Sequence, residues 1–229
     1  MHPAQLPLPP ALEEVWLLAL ADAELTEDEV YLYATELSIG QGTLAKHLRR
    51  GLIVDSELPL AIDAELNDDP LVWSDRVLLR RADRPIEVDA ALLRHELEHV
   101  LQCRADERLV PAHDVTYDVI ALAGEGSAHL YTKIPMELRA NGAAGAFVRG
   151  QFGDVRIDEL AASLPHRALL RTPISGPPAE PLMDEMISFL VEHRELCRQW
   201  DFFKFALDQV GRDVYDEWQR QVAVVESAG

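Results

Sequence analysis

The sequence predicts an α+β fold that is mostly helical, with a small sheet immediately ahead of one central helix. Three observations lead to this prediction. Apolar residues recur at helical spacing, behind capping residues, over most of the chain. Short runs typical of strands stand within residues 58–81 and are separated by turn residues. Directly after them, DAALLRHELEHVLQCR (89–104) has the apolar phasing of an amphipathic helix.

The composition limits the classes of partner and compartment. The 229-residue chain carries 21 basic and 40 acidic residues, a net charge of −19, so neither nucleic acid nor an anionic membrane is expected to bind. Two cysteines, Cys103 and Cys197, are too few for a disulfide framework, and buried free thiols fit a reducing compartment. No apolar run is long enough to span a bilayer, and the N-terminal stretch lacks the features of a signal peptide. We therefore expect a cytoplasmic protein.

Residues 1–57 are predicted to form a helical N-terminal extension. After a proline-rich start, a helix is expected from about Ala11 to Leu20. Thr26 has the character of an N-cap, with acidic residues after it, for a second helix that ends near Gly40. The stretch QGTLAKHLRRGL (41–52) predicts a third, short helix.

Residues 58–172 are predicted to form the core. LPLAIDAEL (58–66) and RVLLRR (76–81) are typical of two strands separated by a turn. If the second strand lies at the edge of the sheet, an extended peptide could pair with it. Asp89 is placed to cap the helix that follows.

Helices are expected throughout the rest of the core. One is predicted over about 115–133, where Gly124 and Gly126 would allow close packing against a neighbouring helix. Pro135 is expected to open the next helix, because proline is tolerated at the first helical position.

Residues 181–229 are predicted to be C-terminal helices packed on the core. They follow a Pro- and Gly-rich connector and form two long amphipathic segments, 182–199 and 201–227. Four aromatic residues where these segments meet are expected to belong to the helix core: Trp200, Phe202, Phe203 and Phe205.

The motif His-Glu-x-x-His at the centre of the chain indicates a metal site. On a helix, His95 and His99 lie four residues apart on one face, so both imidazoles can reach a single ion. Glu96 lies beside them, where it can take a proton from the water that the metal activates. Glu98 is expected to pair with Arg94 instead. The helix is expected to pack through a separate apolar stripe: Leu93, Leu97, Val100 and Leu101.

A catalytic zinc site needs a third protein ligand and keeps one position open. Three residues downstream of the motif are candidates: Glu125, His129 and Glu137. Glu137 would lie in the first turn of a helix, where its charge is favoured. Small residues in the following turns would let that helix approach the motif helix closely: Ala140, Ala143 and Ala144.

The stretch VDAALLRHELEHVLQ (88–102) resembles the active-site helix of minimal gluzincins, small zinc metallopeptidase-like proteins with a later glutamate ligand. In several such groups this ligand lies in a Tyr…Pro-x-Glu-x-x-Ala or Glu-x-x-Ala-Asn pattern. The chain has the matching residues in that order: Tyr131, Pro135, Glu137, Ala140 and Asn141. The resemblance covers roughly residues 86–147. It implies a zincin-like core with Glu137 as the third ligand.

Other polar residues are candidates for supporting roles. Asn141, four residues after Glu137, could hold its carboxylate in place. Protonated imidazoles and phenols can donate hydrogen bonds to developing negative charge, which makes four residues candidate oxyanion or substrate contacts: His129, Tyr131, His113 and Tyr117. An ordinary structural role is the alternative for each of them.

Together these residues predict a zinc-dependent metallohydrolase, most simply a peptidase that acts on a peptide or a small amide-containing substrate. Glu96 would be the general base and then the proton donor to the leaving amine. One alternative is a biosynthetic or tailoring metalloenzyme of narrow specificity, with its cleft enclosed by the terminal helices. The other is a non-catalytic regulatory module whose metal is closed by a fourth protein ligand. The acidic surface is expected to favour neutral or basic substrates.

Overall fold

The computed structural model describes residues 9–35, 71–73, 76–80, 84–164, 168–170 and 181–228. Its α-helices are α1 Pro10–Asp22, α2 Ile86–Ala105, α3 Leu109–Ala121, α4 Ser127–Tyr131, α5 Pro135–Phe152, α6 Asp154–Ser163, α7 Leu182–Glu192, α8 Arg194–Gln199, α9 Phe203–Val210 and α10 Arg212–Ala228. Short 3₁₀ turns lie at Gly124–Gly126 and Ala168–Leu170. The extended segments are β1 Tyr31–Thr35, β2 Leu71–Trp73 and β3 Arg76–Arg80.

The predicted α+β class is wrong, because the described structure is predominantly helical and no zincin-like sheet layer precedes α2 in it. The extended backbone amounts to three short segments, with β3 between β1 and β2. β3 runs parallel to β1 and antiparallel to β2, so it is not the edge to which a peptide was expected to add. The expected partner strand, 58–66, lies outside the described residues.

Helix α2 lies at the centre of the fold and is buried on nearly every face. Leu93, Leu97 and Val100 of the predicted stripe are fully shielded from solvent, while its fourth member, Leu101, is only partly buried. Ala90 and Ala91 are equally buried, so the helix is also covered on other sides. It packs mainly against α1 and α5. Other helices therefore cover most of the central helix, and β2 and β3 contact it as well.

The start of α2 differs from the prediction. The residue before the helix is Pro85, and Asp89 lies inside the first turns instead of capping them. The Asp89 carboxylate accepts a hydrogen bond from the Arg84 side chain just ahead of the helix. Acidic groups in the first turn are still favourable there, because they face the positive end of the helix dipole.

The apolar residues form two clusters that meet along α5. The first cluster joins α1, α2 and α6 with the C-terminal half of α5, including Phe147 and Val148. The second joins α3 with the C-terminal helices α7 to α10 and takes in Ile134 and Met136 at the start of α5. The C-terminal helices therefore pack on α3 and the beginning of α5. Glu137 follows Met136 directly and stands where the two clusters adjoin.

The predicted second N-terminal helix is wrong. The Thr26 backbone N–H and hydroxyl both donate to Glu29 Oε2, at 3.0 and 2.7 Å, which closes a turn, but no helix begins there. This turn leads into strand β1, where Leu32 is buried, as is Val30 just before it. The run YLYAT (31–35) is rich in β-favouring side chains, which outweighs the local capping signal. The predicted helix over 41–52 lies outside the described residues.

The predicted helical stretch over about 115–133 is mostly helical but is interrupted at its glycines. Helix α3 ends at Ala121, and the chain turns at Gly124, whose φ is +59°. A Cβ on Gly124 would meet nothing within 4 Å, so this glycine provides a backbone conformation and not close packing. The prediction for Pro135 is confirmed, since it occupies the first turn of α5.

The two long C-terminal helices are each divided. His193 separates α7 from α8, and Gly211 separates α9 from α10. The expected aromatic core is half wrong: Phe203 is buried, but Phe202 and Phe205 are 67% and 65% exposed.

Both cysteines are free and buried, as expected from the sequence. Burial raises the pKa of the Cys197 thiol to about 12, so it stays protonated.

Among the helices that the structure describes, none combines the length and the apolar character that crossing a bilayer requires.

We predict that Gly124→Ala lowers the free energy of unfolding by about 1 kcal/mol, because alanine is strained at positive φ. Gly126→Ala is the matched control: its φ is −79°, and a Cβ there meets only Ala123 at an ordinary 3.8 Å. That variant is expected to stay within about 0.5 kcal/mol of the parent. Urea unfolding of both variants provides the measurement. Equal destabilisation of the two would show that Gly124 is not needed for its backbone conformation.

Candidate metal centre

Two imidazoles from α2 and one carboxylate from α5 converge on a common point. His95 Nε2 and His99 Nε2 lie 3.1 Å apart. Glu137 Oε2 is 3.4 Å from His95 Nε2, and Glu137 Oε1 is 3.4 Å from His99 Nε2. Within the part of the chain that the structure describes, these three residues form the group able to hold a metal ion.

The donor spacing fits a tetrahedral metal ion. Zinc binds imidazole nitrogen and carboxylate oxygen at about 2.0–2.2 Å, which places neighbouring donors in a tetrahedron roughly 3.3–3.6 Å apart. The two imidazole nitrogens are slightly closer than that, at 3.1 Å, and each nitrogen has a different oxygen of Glu137 at 3.4 Å. Two nitrogens and one oxygen also suit other divalent metals that bind imidazole. The residues therefore fit such an ion without a large rearrangement.

The group is almost shielded from solvent. His95 and His99 are 7% and 6% exposed, and Glu137 is 3% exposed. Glu96 is 6% exposed and lies on the same helix. A carboxylate buried to this extent is costly unless cationic or hydrogen-bonding groups face it. The imidazoles around Glu137 meet that requirement.

Burial and charge act in opposite directions on the titration of His99. Burial alone lowers its pKa, but the Glu137 carboxylate, helped by Glu96 and Gln102, raises the pKa to about 9. For Glu137, burial raises the pKa, and His99 together with hydrogen bonds from His113, His95 and His99 lowers it well below the ordinary value. Without metal, the pair is therefore imidazolium and carboxylate near neutral pH. A metal ion binding there must displace the proton of His99.

Gln102 orients one of the ligands. Its Oε1 lies 2.9 Å from His99 Nδ1, and its Nε2 donates to the Met136 carbonyl at 3.2 Å. Sequence reasoning missed this residue. The available signal was its position three residues after His99, on the same face of the helix.

His113 contacts the carboxylate ligand from the neighbouring helix. Its Nε2 lies 3.0 Å from Glu137 Oε1, so this ring, considered at first as an oxyanion contact, adjoins the metal group. Tyr131 stands edge-on to it at a centroid distance of 6.2 Å, and Tyr117 stands edge-on to Tyr131 at 6.0 Å. Tyr117 is 52% exposed. The three rings therefore lead from the buried carboxylate to solvent.

The other ligand candidates lie outside the group. Glu125 is on the exposed 3₁₀ turn and His129 is on the exposed side of α4. Asn141 is buried one turn after Glu137. In the described structure, however, the hydrogen-bond partners of Glu137 are imidazoles and not Asn141. His113 provides the support that was expected of Asn141.

The remaining motif residues are placed as follows. Arg94 donates to Glu98 at 3.0 Å, as expected, and also to Asp22 of α1 at 2.7 Å. Burial, with a contribution from the charge of Glu96, raises the pKa of Cys103 to about 11. A thiol that stays protonated is a poor metal ligand.

Comparison of the chain with known protein families, curated proteins and solved structures finds no match. The resemblance to minimal gluzincins therefore stays a prediction that depends on the residues of the motif.

In the metal-free protein, the ionised pair of His99 and Glu137 should contribute most to the free energy of unfolding between about pH 4.5 and 6.5. The raised pKa of His99 gives stabilisation that is complete below its unfolded value of 6.5 and is lost as the pH rises through about 9. The lowered pKa of Glu137 gives stabilisation that is present above its unfolded value of 4.5. This stabilisation is lost as the pH falls below 4.5 toward the lowered pKa of the folded state. Thermal unfolding at pH 6 and 9.5 should show a larger loss for Glu137→Gln at pH 6. An equal loss at both values would contradict this coupling.

Proposed function

We propose that the protein is a metal-dependent hydrolase, most simply a zinc peptidase, with His95, His99 and Glu137 as metal ligands and Glu96 as general base. One observation carries the proposal: three buried side chains from two helices bring one donor atom each within 4.8 Å of one another, close enough to bind a single ion.

The chemistry divides between the metal and the side chains. A zinc ion held by these three residues supplies a Lewis acid that lowers the pKa of water toward neutrality. Glu96 accepts the proton that the attacking water loses and passes it to the leaving amine. His113 donates its Nε2–H to Glu137 Oε1 and so holds that carboxylate in place.

The number of ligands favours a catalytic over a structural metal. Structural zinc sites are closed by four protein ligands, whereas catalytic sites have three and one open position. Among the described residues the group has three members. His113 lies beside it but is directed at Glu137. This arrangement supports the hydrolase over the regulatory module.

Burial of the group supports an enzyme of narrow specificity as the second candidate. The side chains of the three ligands are at most 9% exposed, while His113 is 22% exposed. A substrate would approach along the ring series of His113, Tyr131 and Tyr117. Such a path suits a small or extended amide better than a folded protein. Turnover of short peptides but not of casein would support this candidate, whereas casein hydrolysis would support a general peptidase.

The net charge and the free thiols support a class of substrate and a compartment for this activity. The net charge of −19 favours neutral or basic substrates and opposes nucleic acid and anionic membranes as partners. Two buried free thiols support the cytoplasm as the compartment.

We predict that Glu96→Gln reduces turnover by roughly 10²- to 10⁴-fold while zinc remains bound, because glutamine cannot move the proton. Zinc content by mass spectrometry and peptide hydrolysis are measured on the same preparation. Glu98→Gln is the matched control on the same helix; it loses only the pairing with Arg94 and should retain activity. Glu137→Gln should lose zinc and activity together. Loss of zinc from Glu96→Gln would contradict the role of Glu96 as base.

A further inference from the structure

Gln102 is a buried amide that joins the two helices carrying the metal ligands. It lies on α2, 5% exposed, three residues after His99. Its oxygen faces the His99 ring, and its nitrogen faces the backbone carbonyl of Met136, the residue before Glu137. A single side chain therefore contacts one ligand directly and the backbone adjoining another.

The chemistry of the partners fixes the direction of the amide. The carbonyl of Met136 can only accept a hydrogen bond, so the NH₂ group of Gln102 must face it. The amide oxygen is then left to face His99 Nδ1, 2.9 Å away, and that ring nitrogen must carry a proton. This assignment makes Nε2 the nitrogen of His99 that is available to a metal. Nε2 is also the nitrogen directed at His95 and Glu137.

The second hydrogen bond connects α2 to the beginning of α5. Glu137 lies in the first turn of α5, directly after Met136. The hydrogen bond between the Gln102 amide and the Met136 carbonyl therefore helps to hold the carboxylate close to the imidazoles. Side chains that hold a ligand in this way typically change metal affinity by roughly 10- to 100-fold when removed.

We propose that Gln102 is a positioning residue of the metal centre, which selects the metal-binding nitrogen of His99 and fixes Glu137 relative to it. This inference rests on the proposed metal site but not on catalysis. Its consequence is measured as affinity for the metal alone.

The test compares Gln102→Met and Gln102→Glu in the full-length protein. Methionine has a similar shape and neither hydrogen bond, so zinc affinity should fall roughly 10- to 100-fold in competition with a chelator. Glutamate still accepts from His99 Nδ1 but cannot donate to Met136, so its loss should be smaller than that of methionine. The visible spectrum of bound Co²⁺ should change in Gln102→Met, because the ligand geometry is altered.

Gln219→Met is the control for replacing a glutamine by methionine away from the metal centre. It removes a single hydrogen bond to the Tyr215 hydroxyl on α10, and zinc affinity should stay at the parent value. Urea unfolding of the metal-free variants separates altered folding from altered binding, and Gln102→Glu tests the His99 contact if the methionine variant does not fold.

Parent-like zinc affinity and Co²⁺ spectrum in Gln102→Met would overturn the proposal, since Gln102 would then only fill space. An affinity of Gln102→Glu at or below that of Gln102→Met would also overturn the assigned role toward His99. Failure of the parent protein to bind zinc or Co²⁺ would instead refute the metal site itself. Loss of peptide hydrolysis with unchanged affinity would refute the positioning role and leave the proposed hydrolase standing.

Discussion

The burial of one carboxylate between imidazoles is the constraint on which the rest of the structure depends. Glu137 is 3% exposed, and a charge so far from water needs compensating partners. His95, His99 and His113 provide them from two different helices. The compensation works only if α2, α3 and α5 all approach the same point. The site and the packing of the central helices are consequently one arrangement.

Helix α5 connects the buried carboxylate to both apolar clusters of the molecule. It begins in the cluster formed with the C-terminal helices and ends in the cluster formed with α1, α2 and α6. Ala140 and Ala144 are fully buried along it, and such small side chains allow close approach to α2. A shift of either cluster would move Glu137 relative to the imidazoles. The C-terminal helices therefore bear on the site through the start of α5, although they provide none of its three donors.

The sequence predicted what local periodicity determines. The spacing of His95 and His99 places them on one face of any helix, and proline at position 135 marks a helix start that puts Glu137 in the first turn. The fold class could not be obtained in this way. Local signals at Thr26 and Gly124 allowed more than one structure, and tertiary pairing of β1 with β3 decided the first of them. The role of Gln102 depends on a contact with a residue 34 positions later, which no local pattern contains.

The central claim is that two imidazoles and one carboxylate hold a single metal ion and leave one position open. A crystal structure of the protein loaded with one equivalent of zinc tests it most directly. The account predicts zinc at about 2.0–2.2 Å from Nε2 of His95, Nε2 of His99 and an oxygen of Glu137, with a fourth ligand from solvent. Zinc closed by a fourth protein ligand would contradict the catalytic interpretation, and a zinc-free group under these conditions would contradict the metal site.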